Sequence, residues 1–153
     1  MVDEEDLTVE EGKAKFNDRE YTATTDNGKG YKILRRRLYH GHYLLMQSDF
    51  DQTNTIYVVR YKFTLNGNII NLPDNCVIQF EGGNISNGTL NLNGALVEPI
   101  NQDMSEYFAE DLTVTGFKAG QTFYDKEIEA LKTWDGEDWT NVDGTLISKV
   151  IIV

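Results

Sequence analysis

His40 and His42 flank Gly41, a spacing that sets two imidazoles on one side of an extended strand. A transition-metal site needs about three or four ligands and further groups that orient them. No third ligand follows nearby in the sequence, so the pair reads as solvated or as part of an interface. Gly28-Lys29-Gly30 lacks the extra glycines and the strand-to-helix setting of a phosphate loop, and reads as a turn. Carboxylates are abundant, notably Asp135, Glu137 and Asp138 and the run Asp3 to Asp6. Glycoside hydrolysis needs two of them at a set separation across a groove. A calcium cage needs about six to eight oxygens. The acidic runs here read as solvated faces instead. Ser, His and Asp occur, but no strand-turn-helix elbow places them as a triad. No catalytic residue, metal ligand or cofactor is therefore assigned.

Two further groups suit contact rather than catalysis. Arg35, Arg36 and Arg37, near Lys29 and Lys32, form the one basic cluster of a chain whose net charge is −11. An acidic chain repels phosphate backbones and anionic lipid, so nucleic acid and membrane surfaces are poor partners. The arginines then serve as a charge-pairing patch for the chain's own carboxylates or a neighbour's. Trp134 and Trp139 stand among Asp135, Glu137 and Asp138, with Tyr107, Phe108, Phe117, Phe123 and Tyr124 upstream. Such aromatics anchor oligomer interfaces, platform a glycan, or fill a core. The apolar end Val150-Ile151-Ile152-Val153 is a second candidate interface, because an open edge of this kind aggregates unless it is paired.

These residues need a scaffold, and the composition says which kinds are open. The 153 residues suit about one domain. Hydrophobic residues are 40 % and aromatics 11 %, including eight Tyr and seven Phe, enough apolar mass to offset ordering entropy. The single cysteine, Cys76, can close no disulfide within the chain and lies in an apolar run, so it reads as a small buried hydrophobe. The opening Met1-Val2-Asp3-Glu4-Glu5-Asp6 is acidic and lacks the basic start and apolar run of a secretory signal. No stretch approaches the roughly 18 apolar residues of a membrane span.

Along the chain, residues 1–20 read as an acidic docking or flexible arm. Residues 21–98 read as a β-rich domain, and residues 99–153 as an acidic, aromatic segment suited to oligomerisation. Thr55 to Thr64 is dense in β-branched and aromatic residues, Ile69 to Leu72 is a short strand, and Cys76 to Phe80 is another. Between them stand Leu65-Asn66-Gly67, Pro73-Asp74-Asn75, Gly82-Gly83-Asn84, Asn87-Gly88 and Asn93-Gly94, all turn formers. Tyr31 to Tyr39 suits a charge-edged strand or a short helix, the strand being favoured because Tyr31 and Ile33 sit beside a Gly-rich turn, and His40-Gly41-His42 breaks the run. Short strands with Asn/Gly corners suit either hairpins of a sandwich or the rungs of a β-solenoid. The compressed spacing favours a mainly β fold with a short β-helical segment of about two rungs. So few rungs would need cover from elsewhere, since repeat folds need about three units with caps. A short helix is predicted over Asp125 to Lys132, where Asp125 can cap and Ile128 and Leu131 share a face. A terminal strand is predicted over Thr145 to Val153.

The ordered set of segments resembles a known group. Lys15 to Tyr21, Gly28 to Arg35, Asn54 to Tyr61, Leu65-Asn66-Gly67, Leu72 to Gly83 and Ile85 to Leu90 are similar to the opening of fibre-type proteins of Bacteroides-infecting phages, including the crAss-like group. The likeness spans about residues 15–98 and departs from the group in lacking a long downstream receptor-binding region. It implies a parallel β-helix, a virion location, no catalytic residues and no cofactor. The expected function is that of a homo-oligomeric phage structural protein, a head or tail fibre or capsid appendage, expected as a trimer contacting other virion proteins. The alternatives are an adhesin module that binds host-surface polysaccharide and, third, a small β-helical depolymerase.

Overall fold

The computed structural model of the chain describes residues 30–142. The arm expected at 1–20, the Gly28-Lys29 turn and the terminal strand with Val150, Ile151, Ile152 and Val153 lie outside the described residues.

The chain winds as a β-solenoid of about four turns. The first turn holds β1 (Gly30–Ile33), β2 (Leu38–Tyr39), β3 (His42–Leu44) and a 3-10 turn at Gln47–Asp49. The second holds β4 (Thr55–Val59), β5 (Lys62–Thr64) and β6 (Ile69–Asn71). The third holds β7 (Val77–Phe80), β8 (Asn84–Ser86) and β9 (Gly88–Asn91). The fourth holds β10 (Leu96–Glu98), a 3-10 turn at Met104–Glu106 and β11 (Leu112–Thr115). Turns stack in parallel into three sides. Sheet A runs β1-β4-β7-β10, sheet B runs β2-β3-β5-β8 with only β2 antiparallel, and sheet C runs β6-β9-β11.

Register explains why the turns close. Tyr57, Ile78 and Val97 are aligned in sheet A, Phe63, Ile85 and Phe108 on side B, and Ile70, Leu90 and Val114 in sheet C. These columns meet in one interior, completed by Leu65, Leu72, Leu92 and Phe80. Burying each such side chain contributes about 1.5–3 kcal/mol. Corners are made by Asn66, Asn75, Asn87 and Asn93, whose φ values of 52°, 59°, 60° and 51° lie in the left-handed region that Asn tolerates. Cys76 is buried at one of these corners, with Sγ 3.4 Å from the Gln52 carbonyl.

Three expectations need correction. The solenoid has about four turns, not two, so it supplies its own closed interior. The first and fourth turns come from segments with weak local patterning, and long-range pairing recruits them. The solenoid also runs past residue 98, since β11 pairs with β9. The helix over 125–132 is absent. In its place β12 (Thr122–Asp125) turns into β13 (Ala130–Trp134), which pairs in antiparallel fashion with β12 and with β14 (Trp139–Asn141). Asp125 Oδ1 accepts from the Glu127 N–H at 2.8 Å, and Glu129 takes a φ of 53°, so the capping carboxylate closes a turn instead of opening a helix. A helix of about eight residues is marginal by itself. The cross-strand pairs Tyr124–Leu131 and Thr122–Thr133 prevail.

An aromatic group closes the C-terminal end of the interior. Tyr107 lies flat on Phe80, with centroids 4.4 Å apart, and its hydroxyl donates to the Pro99 carbonyl at 2.9 Å. Burial, with a smaller contribution from the nearby Glu106 charge, pushes the Tyr107 phenol up to about 12. Ionisation is thus harder folded than unfolded. The associated stability is complete below pH 10, the ordinary tyrosine value, and is lost as pH rises toward 12. Alkaline unfolding monitored by circular dichroism should show this loss in the parent chain, and Tyr107→Phe should remove that part of the slope.

Candidate functional site

Sheet A is apolar on both faces. Tyr57, Val59, Ile78, Phe80 and Val97 point inward, while Ile56, Val58 and Val77 form a separate cluster outside, with Tyr31, Ile33 and Leu96 at its margins. Alternation along a strand makes this two-sided pattern unavoidable once all five residues of β4 are Thr, Ile, Tyr, Val and Val. The outer residues are 6, 3 and 6 % exposed, so this face is covered and is not an open groove. The outer positions of sheets B and C are mostly polar: Lys62, Thr64, Asn84 and Ser86 on one, Asn71, Thr89, Asn91, Thr113 and Thr115 on the other.

The arginine cluster is divided. Arg37 clamps Asp49 with both terminal nitrogens, Nη1 to Oδ2 and Nη2 to Oδ1, each at 2.7 Å. Its Nη1 also donates to the Leu44 carbonyl at 3.1 Å. The Asp49 hydrogen bonds and charge raise the Arg37 pKa beyond its ordinary value, outweighing burial. The Arg36 guanidinium lies 4.7 Å from the Tyr61 ring centroid and 6.0 Å from that of Tyr43, a stacked cation–π arrangement. Arg35 is exposed. Lys32 is buried and donates to Asp51 at 3.1 Å. Lys32, Arg36 and Arg37 therefore address separate partners rather than one shared anion.

The two histidines do not share a strand face. His40 occupies the β2–β3 turn with a φ of 50°, followed by Gly41 at 81°, and only His42 belongs to a strand. Among the described residues no group of three or more His, Cys, Asp and Glu side chains could hold a metal ion.

Trp134 and Trp139 face each other across β13 and β14, with centroids 5.1 Å apart. Phe117 is 5.8 and 5.1 Å from them, and the fully buried Phe123 is 5.8 Å from Trp139. Lys132 Nζ sits 4.9 Å from the Trp139 centroid. This half-buried group packs the antiparallel sheet onto the end of the solenoid, so much of each indole is spent inside the chain.

Two glutamines escape sequence reasoning altogether. Gln121, fully buried, accepts from the Val97 N–H at 2.7 Å and donates to the Val97 carbonyl at 3.0 Å. Gln47 treats Asn71 the same way, at 2.8 Å in both directions. Each side-chain amide reproduces the donor and acceptor of a neighbouring strand. The partners are 24 residues apart in both cases, and no local motif announces them.

Comparisons with known proteins find no matching family model, no matching curated protein and no matching solved structure.

Proposed function

We propose that the chain is a structural subunit of a bacteriophage particle, a head or tail fibre or appendage that associates with copies of itself, as a trimer, and is held on the particle surface. The observation that carries this reading is the coincidence of motif and rung. The segments on which the sequence is read as resembling phage fibre proteins, Leu65-Asn66-Gly67, Leu72 to Gly83 and Ile85 to Leu90, fall on the corners and strands of the second and third solenoid turns. A parallel solenoid suits a fibre, because each turn adds a fixed length and a repeated outer surface. The role is static: spacing, positioning and multivalent display, which multiplies any weak contact made by one copy.

The test is chemical analysis of purified particles together with light scattering of the isolated chain. Peptides of this protein should co-purify with intact particles in fixed stoichiometry. The isolated 17.4 kDa chain should scatter as a multiple of that mass. Its absence from every particle fraction, with a monomer at micromolar concentration, would end the proposal. Adhesion to a host polysaccharide is a second reading, favoured by the half-buried indoles of Trp134 and Trp139. Glycan-array binding that disappears on Trp134→Ala would promote it over a purely structural role.

A further inference from the structure

The outer face of sheet A differs from those of sheets B and C, which are mostly polar. Register sets Tyr31, Ile56, Val77 and Leu96 in one outward column. Ile33 and Val58 begin a second column, which continues as Gln79 and Glu98. The apolar area is therefore widest over the first two turns and narrows toward the fourth. Side chains on one face of a sheet shield each other's flanks but not their outward ends. Ile56, Val58 and Val77 nevertheless keep only 6, 3 and 6 % of their surface exposed. Among the described residues, the hydrophobic side chains packed on them are Tyr31, Ile33 and Leu96, all from the same face. A layer above the sheet has to come from chain outside residues 30–142.

We propose that the chain's own segment 1–29 is the cover of this face, with its apolar residues on the two columns and its carboxylates toward Arg35. Three observations favour it over the segment 143–153. The first is where the chain enters. Gly30 opens β1, the edge strand of sheet A, beside the widest apolar area. The other end leaves at Val142, after β14, in the antiparallel sheet beyond the fourth turn. The second is reach. The 29 residues ahead of Gly30 span up to about 95 Å when extended, against about 15 Å across four strands. The third is charge. Arg35 is exposed just after β1, and the segment carries Asp3, Glu4, Glu5, Asp6, Glu10 and Glu11. The segment 143–153 carries Asp143 alone, offset by Lys149. Burial of Leu7, Val9, Phe16 and Tyr21 supplies the drive, and the charges set the orientation. This inference stands apart from the fibre role. It assigns the acidic arm to its own chain, so that copies of the chain meet through other surfaces.

The experiment places a nitroxide on the full chain through Thr8→Cys and reads the methyl resonances of Ile, Leu and Val. Cys76 is buried, so the introduced thiol takes the label. Thr8 is far enough from Gly30 in sequence that connectivity alone does not bring it to the sheet. The Ile56, Val58 and Val77 methyls should broaden, and Ile69, exposed on sheet C, should not. Arg35→Glu should weaken the broadening. Absence of broadening at the three sheet A residues would overturn the assignment. So would broadening of them by a label at Ser148→Cys in place of Thr8→Cys, which would make the other end of the chain the cover. Broadening seen only when nitroxide and methyl label sit on different chains would overturn it too, by showing that another copy supplies the cover. Should the labelled chain fail to fold by circular dichroism, tryptic cleavage of the unlabelled parent decides. Lys13, Lys15 and Arg19 should be protected in the parent and cut faster in Arg35→Glu, and equal rapid cleavage in both would sink the idea.

Discussion

Gly83→Ala is expected to cost about 3 kcal/mol, a fall on the order of 10 °C in Tm, with loss of cooperative melting as the central corner opens. The cause is the stacking of corners. Arg60 and Tyr61 turn the chain from β4 into β5, and Glu81, Gly82 and Gly83 turn it from β7 into β8 directly alongside. Gly83 is buried, and a Cβ there would come within van der Waals overlap of the Tyr61 carbonyl oxygen, 2.5 Å from the Tyr61 nitrogen and 2.9 Å from the Arg60 carbonyl carbon. All three are backbone atoms that cannot swing aside. The Asn84 N–H bonds the Tyr61 carbonyl at 3.2 Å, so moving the corner also breaks the ladder. Gly82 supplies the contrast. It has open space around its missing Cβ but a φ of +97°, so Gly82→Ala should cost only about 1–2 kcal/mol of left-handed strain. Thermal melting of the two variants side by side checks this. Equal and small losses would mean that the corners are not as tightly stacked as described.

The same pair of glycines shows what the sequence could reveal. Gly82-Gly83 is legible as a corner because two glycines after an apolar strand end it, and Asn66-Gly67, Asn87-Gly88 and Asn93-Gly94 are legible for the same reason. Each of those asparagines indeed takes a positive φ. The strands β6 and β7 are legible in their β-branched residues. The run from Thr55 to Thr64 reads as one strand, and it bends at Arg60-Tyr61 into two, because a solenoid side is only as long as its neighbours permit. The first turn shows only as the strand expected over Tyr31 to Tyr39, which divides into β1 and β2, and the fourth is hidden, each for a physical reason. β1 carries Lys32 on its inward face, and between β10 and β11 the core residues Tyr107 and Phe108 stand adjacent amid acidic and polar neighbours, so neither shows the alternation of an apolar rung. Their membership is decided by partners about 19 to 25 residues away in the register. The helix expected at Asp125 to Lys132 fails similarly. Ile128 and Leu131 at a spacing of three look like one helical face, but Leu131 finds Tyr124 across a hairpin. The indoles were legible as contact residues, yet whether they contact a partner or Phe117 depended on a fold the local sequence does not encode.

Arg37→Met is expected to destabilise the chain by about 3 kcal/mol, far more than the roughly 0–1 kcal/mol of an exposed ion pair. Asp49 is 8 % exposed and holds both arginine nitrogens at 2.7 Å, so removing the guanidinium leaves a carboxylate out of water without its counter-charge. The carboxylate cannot simply turn away, because its Oδ2 also accepts from the Met46 N–H at 2.7 Å and so fixes the turn at Gln47–Asp49. That turn carries Gln47 to Asn71, which links the arginine to the edge of sheet C by a chain of three contacts. Asp49→Asn keeps an acceptor for Met46 while removing the charge. The double variant Arg37→Met with Asp49→Asn should therefore cost less than the sum of the single changes, with a coupling on the order of 1 kcal/mol or more in a double-mutant cycle. Chemical denaturation of the four proteins measures it. Additive losses would show that the pair behaves as a surface contact. Coupling would show that one of three consecutive arginines, in a chain of net charge −11, is committed to the fold, as Arg36 is through the Tyr61 ring.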